Sequence, residues 1–311
     1  MAVASAPGRV CLLGEHAVVY GEPALACAIS LRTRVEAREA RETSIRPAEA
    51  ARSPYVREAL ALLREESRPA TQPRSPSATR APGAEKPFPG LRLRIASDVP
   101  PGRGLASSAA LSVALLGAAR AALGRATAPR TVAPLAREVE RRVQGRASPM
   151  DTLISALGGA RVVPQGSALP LPRCSFVLGD SGERVNTGIL VARVAALRRF
   201  PSARKTLETI GDLTRRGARA LRRGDLEGLG GRMEVNGLLL DSLGVGTPRL
   251  RAMADSALEA GALGAKLTGA GGGGCVVALA LRPAVVARAV RRAGGTPMVV
   301  RPEARGLVVG R

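Results

Sequence analysis

The sequence predicts an α+β protein of two domains. With 311 residues the chain can bury a substantial core, and two domains are more common at this length than one. Strand-like and helix-like hydrophobic patterns are mixed in both halves, which is typical of α+β architecture. The composition shifts at Pro164–Pro172. We therefore expect an N-terminal domain over residues 1–165 and a C-terminal domain over residues 173–311.

The first half begins with predicted strands and continues with predicted helices. Residues 2–39 are strand-rich, with three apolar clusters and one alternating stretch: Val10–Leu13, Val18–Tyr20, Ala24–Ile29 and Leu31–Arg38. A short strand, Leu91–Ile95, leads into a glycine-rich turn. Four segments are predicted to be helices: Tyr55–Glu66, Ser107–Leu123, Val132–Gln144 and Met150–Leu157. Residues 67–90 are rich in Pro, Ser, Thr, Ala and Arg, so we expect a flexible surface insertion there.

The second half is also mixed. Four segments are predicted to be extended: Cys174–Leu178, Val185–Val191, Val276–Leu281 and Met298–Arg301. Hydrophobic periodicity predicts four helices: Leu197–Leu221, Asp225–Leu240, Pro248–Glu259 and Ala284–Ala293. The glycine-rich run that ends at Cys275 can be a flexible linker or a buried turn. The apolar strand directly after it favours the turn.

The net charge of +22 raises the question of a polyanionic partner. The arginines are scattered along the chain, and Lys86, Lys205 and Lys266 are the only lysines. Aromatic residues make up only 2% of the chain, whereas nucleic-acid readout usually recruits aromatic side chains or a recognisable module. We therefore favour a solvated basic surface over a dedicated nucleic-acid site.

Several protein classes do not fit the sequence. No apolar run reaches the ~18 residues of a membrane helix, so we expect no membrane partner. The N-terminus lacks the basic and apolar regions of a signal peptide. The four cysteines are far apart and form no CxxC pair, which indicates neither a zinc site nor a disulfide scaffold. We expect a cytoplasmic protein.

The most informative stretch is Pro100–Ala110, where glycines and small hydroxyl residues precede an Ala-rich helix. The first turn of a helix leaves backbone N–H groups unpaired and carries partial positive charge, which suits a bound phosphate. Gly102 and Gly104 lack a Cβ, so a ligand can approach the backbone closely. A capped helix after an ordinary turn is the alternative interpretation of this segment.

Three glycine-bearing segments occur along the chain, at Pro7–Gly21, Pro100–Ala110 and Leu267–Cys275. Together they resemble the three signature motifs of the superfamily of galactokinase, homoserine kinase, mevalonate kinase and phosphomevalonate kinase. The first and third segments resemble the mevalonate kinases in particular. The resemblance covers nearly the whole chain, and it extends to the segment Asn236–Leu250.

The resemblance implies a fold and an activity. It implies an N-terminal domain similar to a ribosomal-protein domain, a C-terminal α/β sandwich, and often a homodimer. The implied activity is ATP- and Mg²⁺-dependent phosphorylation of the 5-hydroxyl of mevalonate in isoprenoid biosynthesis. A sister kinase, acting on phosphomevalonate or on the 3-hydroxyl of mevalonate, is the related alternative. A basic nucleic-acid-binding protein is the alternative from another class.

The resemblance also implies an ATP site at the second motif. It assigns the phosphate cradle to nine consecutive residues: Pro100, Pro101, Gly102, Arg103, Gly104, Leu105, Ala106, Ser107 and Ser108. The family has Gly at the position of Ala106. A positive φ there would cost on the order of 1 kcal/mol, and we expect instead that the position tolerates a methyl group.

By resemblance, Ser108 and Glu140 hold magnesium, and Asp151 and Arg9 are catalytic. A carboxylate and a hydroxyl, completed by phosphate oxygens and water, suit Mg²⁺. Without the family, Glu140 would be interpreted as a charged residue on a solvated helix face. Asp151 would accept or orient the proton of the attacking alcohol, and the alternative is that it caps the helix it begins. Arg9 stands where the family usually has Lys, and Pro149 also departs from the family pattern.

The resemblance says less about the residues that contact the substrate. By resemblance, Glu15 and His16 line the substrate pocket, and Thr187 lies near the substrate. The third motif implies a glycine loop beside the active site, at Gly269, Gly271, Gly272 and Gly273. These glycines would allow close approach of the backbone.

Overall fold

The computed structural model describes residues 1–67, 88–145, 147–183 and 187–310. The predicted surface insertion falls largely on residues 68–87, outside the described residues.

The described residues form eleven strands and nine α-helices. The strands are β1 (Ala2–Leu13), β2 (Ala24–Ala40), β3 (Ser44–Arg46), β4 (Gly90–Ser97), β5 (Ala160–Val163), β6 (Ser167–Leu169), β7 (Ser175–Asp180), β8 (Gly264–Thr268), β9 (Cys275–Ala280), β10 (Thr296–Val300) and β11 (Val308–Gly310). The helices are α1 (Pro54–Glu65), α2 (Ser107–Ala122), α3 (Pro129–Gln144), α4 (Pro149–Leu157), α5 (Thr187–Leu197), α6 (Pro201–Arg222), α7 (Leu226–Ser242), α8 (Pro248–Glu259) and α9 (Pro283–Arg292).

Two sheets organise the fold. The first has seven strands in the order β11-β1-β2-β4-β3, with β5 pairing β2 and β6 pairing β5. The second has four strands in the order β10-β7-β9-β8, all antiparallel. Helix α2 packs on β1 and β2, while α7 and α8 pack on β8. The mixture of sheets and helices confirms the predicted α+β class.

The core is built from aliphatic side chains, as the scarcity of aromatic residues requires. A cluster of buried residues joins the two sheets, including Leu12 and Leu25 of the first sheet and Phe176 and Val277 of the second. In α2 the alanines keep side-chain volume small, so the helix lies close against the strands it covers.

Three predicted elements differ in the structure. Val18–Tyr20 belongs to a 3-10 turn, Ala17–Tyr20, rather than a strand, because its three apolar residues lie between two left-handed positions, His16 and Gly21. Residues 187–191, predicted to be extended, are helical and lie at the start of α5; residues 184–186 lie outside the description. The helix predicted from Leu197 to Leu221 is α6, but it begins at Pro201, because proline fixes φ and favours the first helical position. Leu197 is the last residue of α5.

The strand β8 was not predicted. All five of its residues are buried, so its polar side chains, Lys266 and Thr268, face the interior and not solvent. β5 ends directly before the predicted boundary segment Pro164–Pro172, and β6 lies within that segment. The last strand, β11, pairs with β1, so the chain returns to the first sheet after completing the second. The division at residues 165–173 stays a prediction.

Within the described residues, no helix combines the length and the apolar composition needed to cross a bilayer.

Candidate active site

A cleft of about 1430 Å³ brings the three glycine segments together. Its walls come from the loop before α2, the glycine loop between β8 and β9, and the first turns of α1, α4 and α5. Residues far apart in the chain therefore face one space.

The loop before α2 is shaped by close backbone contact with the glycine loop. Gly104 has φ 73°, and a Cβ on it would lie 2.6 Å from the carbonyl oxygen of Thr268. Gly269 has φ 91°, and a Cβ there would lie 2.9 Å from Cα of Gly104. Side chains at these two positions would separate the loops, so glycine is required at both.

Ala106 adopts the left-handed conformation, with φ 59° and ψ 38°, directly before α2. The expectation that this position accepts a methyl group without strain is wrong. The turn must leave the first backbone N–H groups of α2 pointing outward, and the left-handed residue makes that turn. A non-glycine residue there carries a strain of roughly 1 kcal/mol.

Other members of the predicted phosphate cradle have definite partners. The Ser107 hydroxyl donates to the carbonyl oxygen of Val99 at 3.2 Å, which ties the loop to the end of the strand before it. Arg103 lines the cleft and pairs with Asp180 at 2.9 Å. Its Nη1 also donates to the carbonyl oxygen of Glu183 at 2.9 Å, so the loop is fastened to the second sheet.

Arg9 and Asp151 meet in the cleft. Nη2 of Arg9 lies 2.7 Å from Oδ1 of Asp151, and Nη1 donates to the carbonyl oxygen of Gly104 at 2.6 Å. Burial alone would lower the pKa of Arg9, but the charges around it, above all that of Asp151, raise it. Arg9 therefore stays a cation, and its role is electrostatic.

Asp151 stands in the first turn of α4, but it is not the cap of that helix. The cap is Ser148, whose hydroxyl accepts from the N–H of Met150 at 3.2 Å. Pro149 occupies the first helical position, where no N–H is needed and its fixed φ suits the helix. The capping alternative for Asp151 is therefore wrong, and Pro149 does not disturb the turn.

Glu140 lies buried beneath the cleft rather than on a solvated helix face. Only 3% of the residue is exposed, and its Oε1 has no hydrogen-bond partner in the described structure. Burial, reinforced by the negative charge of Asp151, raises the pKa of Glu140 to about 7. The hydroxyl of Ser108 interacts with the same carboxylate. A buried carboxylate oxygen without a partner and a serine hydroxyl are oxygen donors of the kind that a hard divalent cation prefers.

Tyr55 is a residue of this region that sequence reasoning missed. It lines the cleft from the first turn of α1, and its hydroxyl accepts from Nε2 of Gln144 at 3.0 Å. Ser108 interacts with the same phenol. No motif includes Tyr55, and the only signal in the sequence was its rarity as one of two tyrosines.

Glu15 lies in a buried cluster behind the glycine loop. Its Oε1 pairs with Nζ of Lys266, and its Oε2 accepts from Nδ2 of Asn236 at 3.1 Å. All three residues are at most 3% exposed. Both carboxylate oxygens of Glu15 are therefore engaged inside the protein. Asn236 belongs to a segment recognised from the sequence, and Lys266 directly precedes another, but sequence reasoning gave neither residue a role.

His16 and the glycine loop are in direct contact. Nε2 of His16 lies 2.9 Å from the carbonyl oxygen of Ala270, so that nitrogen carries the proton. Burial lowers the pKa of His16, which keeps the ring neutral. The N–H of Gly272 donates to the carbonyl oxygen of Val245 at 2.6 Å. The loop is thus a hydrogen-bonded turn, and Thr187 lines the same cleft.

Family models match three parts of the chain. The model for the N-terminal domain of GHMP kinases matches residues 55–159, and the model for their C-terminal domain matches residues 218–296. The galactose-binding signature of galactokinases matches residues 2–39.

Individual proteins resemble the chain over nearly its whole length. The mevalonate kinase of Pyrococcus furiosus is 37% identical, over 99% of this chain and 98% of that protein. The mevalonate kinase of Methanothermobacter thermautotrophicus is 39% identical, over 88% of this chain and 89% of that protein. In fold, the chain resembles L. major mevalonate kinase in complex with R-mevalonate, with a TM-score of 0.81 and 21% identity over 97% of this chain and 96% of that one.

Proposed function

We propose that this chain, which belongs to the mevalonate kinases of the GHMP kinase family, transfers the γ-phosphoryl group of ATP to the 5-hydroxyl of (R)-mevalonate. The products are ADP and 5-phosphomevalonate, an intermediate of isoprenoid biosynthesis in the mevalonate pathway. Family membership makes the chain an enzyme, a kinase that uses a nucleotide substrate. Membership of a kinase family argues against the alternative of a basic nucleic-acid-binding protein.

The Arg9–Asp151 pair carries the proposal, because it places a carboxylate and a fixed cation beside the phosphate loop. Both bonds from Arg9 go to Oδ1 of Asp151, and Oδ2 receives no hydrogen bond from the described residues. In the proposed step the 5-hydroxyl oxygen bonds to the γ-phosphorus while the bond to the bridging β,γ-oxygen breaks. Asp151 takes the hydroxyl proton on Oδ2, and ADP leaves with the bridging oxygen.

Arg9 and the loop before α2 compensate the negative charge of the phosphates. Arg9 supplies a permanent positive charge that needs no proton transfer. The outward N–H groups at the start of α2 bind phosphate oxygens where the helix dipole is positive. Transfer depends mainly on such positioning and charge compensation, since the protein forms no covalent intermediate in this step.

Ser108 and Glu140 would hold Mg²⁺, which their chemistry fits: one hydroxyl and one buried, unpartnered carboxylate oxygen. When bound, the cation neutralises charge on the phosphate oxygens. Glu140 must be ionised for this, and Arg9 nearby favours its ionised form.

The substrate side is built from the turn Gly14–His16, the start of α5 and the glycine loop. We propose that Thr187 and the glycines at 269, 271, 272 and 273 contact mevalonate. Glu15 acts from behind this wall by holding the turn, and His16 fixes the loop through Ala270. A homodimer in the cytoplasm stays a prediction, and light scattering on the purified protein tests its dimeric part.

The reaction is tested by product analysis. The protein is incubated with ATP, Mg²⁺ and, separately, mevalonate, phosphomevalonate, homoserine and galactose, and products are identified by phosphorus NMR. A 5-phosphate ester couples to the two protons on C5, whereas a 3-phosphate is attached to a carbon without hydrogen and shows no such splitting. Asp151→Asn is expected to lower kcat by roughly 10²–10⁴-fold. An unsplit product signal would contradict the 5-hydroxyl assignment.

A further inference from the structure

A segment near the end of the chain, residues 303–307 (the tail segment), runs under the last turn of α4. The N–H of Leu307 donates to the carbonyl oxygen of Ala156 at 2.9 Å, and the N–H of Gly159 donates to that of Glu303 at 2.9 Å. The last carbonyls of a helix have no partner within it. The tail segment satisfies one of them and also binds Gly159, the second residue after the helix.

The contact leaves no space at two glycines. A Cβ on Gly306 would lie 2.2 Å from the carbonyl oxygen of Ala156, and a Cβ on Gly158 would lie 2.3 Å from the nitrogen of Gly306. Backbone meets backbone here, so neither side can yield by changing a rotamer. The position of α4 along its axis is therefore coupled directly to that of the tail segment.

Arg32 fixes the tail segment to the first sheet. Its Nη1 donates to the carbonyl oxygen of Arg305 at 3.0 Å, and its Nη2 donates to that of Gly306 at 2.6 Å. Nε and Nη2 also reach Oγ and the carbonyl oxygen of Ser5, at 3.1 and 3.0 Å. Ser5 lies on β1, the strand that also carries Arg9. One arginine thus links the tail segment to the strand that bears the cation of the site.

We propose that the tail segment, held by Arg32, positions α4 so that Asp151 meets Arg9. Helix α4 has 9 residues, so a shift of its last turn carries the first turn, and Asp151, with it. Gly306 and Arg32 are positioning residues, since neither lines the cleft. This role rests on the proposed function, because it requires Asp151 to act on the reacting hydroxyl.

The first test inserts one methyl group. Gly306 is not among the residues with positive φ, so Gly306→Ala adds volume against Ala156 without backbone strain. Gly310→Ala is the matched control, because nothing lies within 4 Å of the added Cβ. We expect Gly306→Ala to lower kcat by roughly 10- to 100-fold, since a displacement of about 1 Å misaligns reacting groups. The KM values for ATP and mevalonate should stay within about twofold, and the control should match the wild type.

The second test removes the arginine contact without adding volume. Arg32→Gln cannot reach both carbonyls, and we expect a loss of kcat of about 10-fold with unchanged KM values. Arg32→Lys keeps the positive charge and one donating nitrogen, and it should recover part of the loss of kcat. These two variants decide the matter if Gly306→Ala does not fold.

The outcomes separate the proposal from the reaction itself. If the Arg32 variants and Gly306→Ala lower the melting temperature but keep wild-type kcat per folded molecule, the tail segment is only structural and the proposal is overturned. Failure of the wild type to phosphorylate mevalonate is a different result, since it rejects the proposed function whatever the variants do.

Discussion

Arg9 directs two nitrogens at a single oxygen of Asp151, with Nε at 2.9 Å and Nη2 at 2.7 Å from Oδ1. Its third nitrogen donates to the carbonyl oxygen of Gly104, so one guanidinium joins the helix that carries Asp151 to the phosphate loop. The pair links residues 142 positions apart in the chain. The three nitrogens of its planar guanidinium let one side chain bond both Asp151 and Gly104.

Two replacements of Arg9 should distinguish the contribution of its positive charge to kcat from that of its hydrogen-bond geometry. Arg9→Lys keeps the charge but cannot reach Asp151 and Gly104 with as many donors, and we expect kcat to fall by about 10-fold. Arg9→Met removes the charge and should lower kcat by roughly 10³-fold. Steady-state kinetics with saturating ATP measure both. Equal activity of the two variants would show that the charge is not used.

The pH dependence of stability should report Glu140. Its pKa is raised to about 7 from an ordinary 4.5, so the folded protein binds this proton more tightly than the unfolded chain. The free energy of unfolding of the metal-free protein should therefore fall as pH rises from 4.5 to about 7, by about 3 kcal/mol from this group.

Urea unfolding in the presence of a chelator measures this slope. Glu140→Gln cannot ionise and should remove this fall in the free energy of unfolding, with greater stability than the wild type at pH 8. The matched control is Glu138→Gln on the same helix, because the Glu138 carboxylate is not buried and accepts hydrogen bonds from Arg141 and Arg142 at the surface. An unchanged slope in Glu140→Gln would contradict the assignment to Glu140.

Removal of Lys266 should destabilise the protein strongly. Its ammonium is the buried partner of Glu15, and without it a carboxylate is left uncompensated in the core. We expect Lys266→Met to lower the free energy of unfolding by about 3–5 kcal/mol.

The double variant Lys266→Met with Glu15→Gln should recover much of this loss, because it removes the unpaired charge. Guanidinium unfolding of the two proteins measures the difference. If the double variant is no more stable than Lys266→Met, the loss comes from packing and not from the charge on Glu15.

Glycine at position 106 should stabilise the fold. Ala106 has φ 59°, a conformation that costs an alanine about 1 kcal/mol relative to glycine. We expect Ala106→Gly to raise the free energy of unfolding by about that amount, less the added flexibility of the unfolded chain. The control is Ala121→Gly, within α2, which should lower it by up to about 1 kcal/mol. Urea unfolding of both variants and the wild type measures whether each substitution raises or lowers the free energy of unfolding.

The sequence predicted most of the regular structure, because the signals for it are local. The helices α2, α3 and α8 and the strands that open the chain follow from hydrophobic spacing. Prediction failed where local signals were absent or misleading. The polar residues of β8 face the interior and not solvent, and the start of α5 has β-branched residues that also suit an extended chain.

The residues of the candidate site also divide into those that local sequence patterns predict and those that they do not. Its glycine segments were recognised from the sequence because tight turns need glycine, and a run of glycines is visible in the sequence. No sequence pattern marks Tyr55 as a site residue, because its place in the cleft depends on how α1 packs. The partners of Glu15 were equally hidden, since Lys266 lies 251 residues away and the two are joined only by the approach of β8 to β1.

By itself, the sequence determined the fold class, the order of the glycine segments and the family, all of which are properties of residue type and spacing. Only the tertiary structure decided which charges meet. It pairs Arg9 with Asp151, buries Glu140 without a partner and strains Ala106 before α2. The physical reason is that pKa values, buried ion pairs and backbone strain depend on distances between atoms that chain order does not specify.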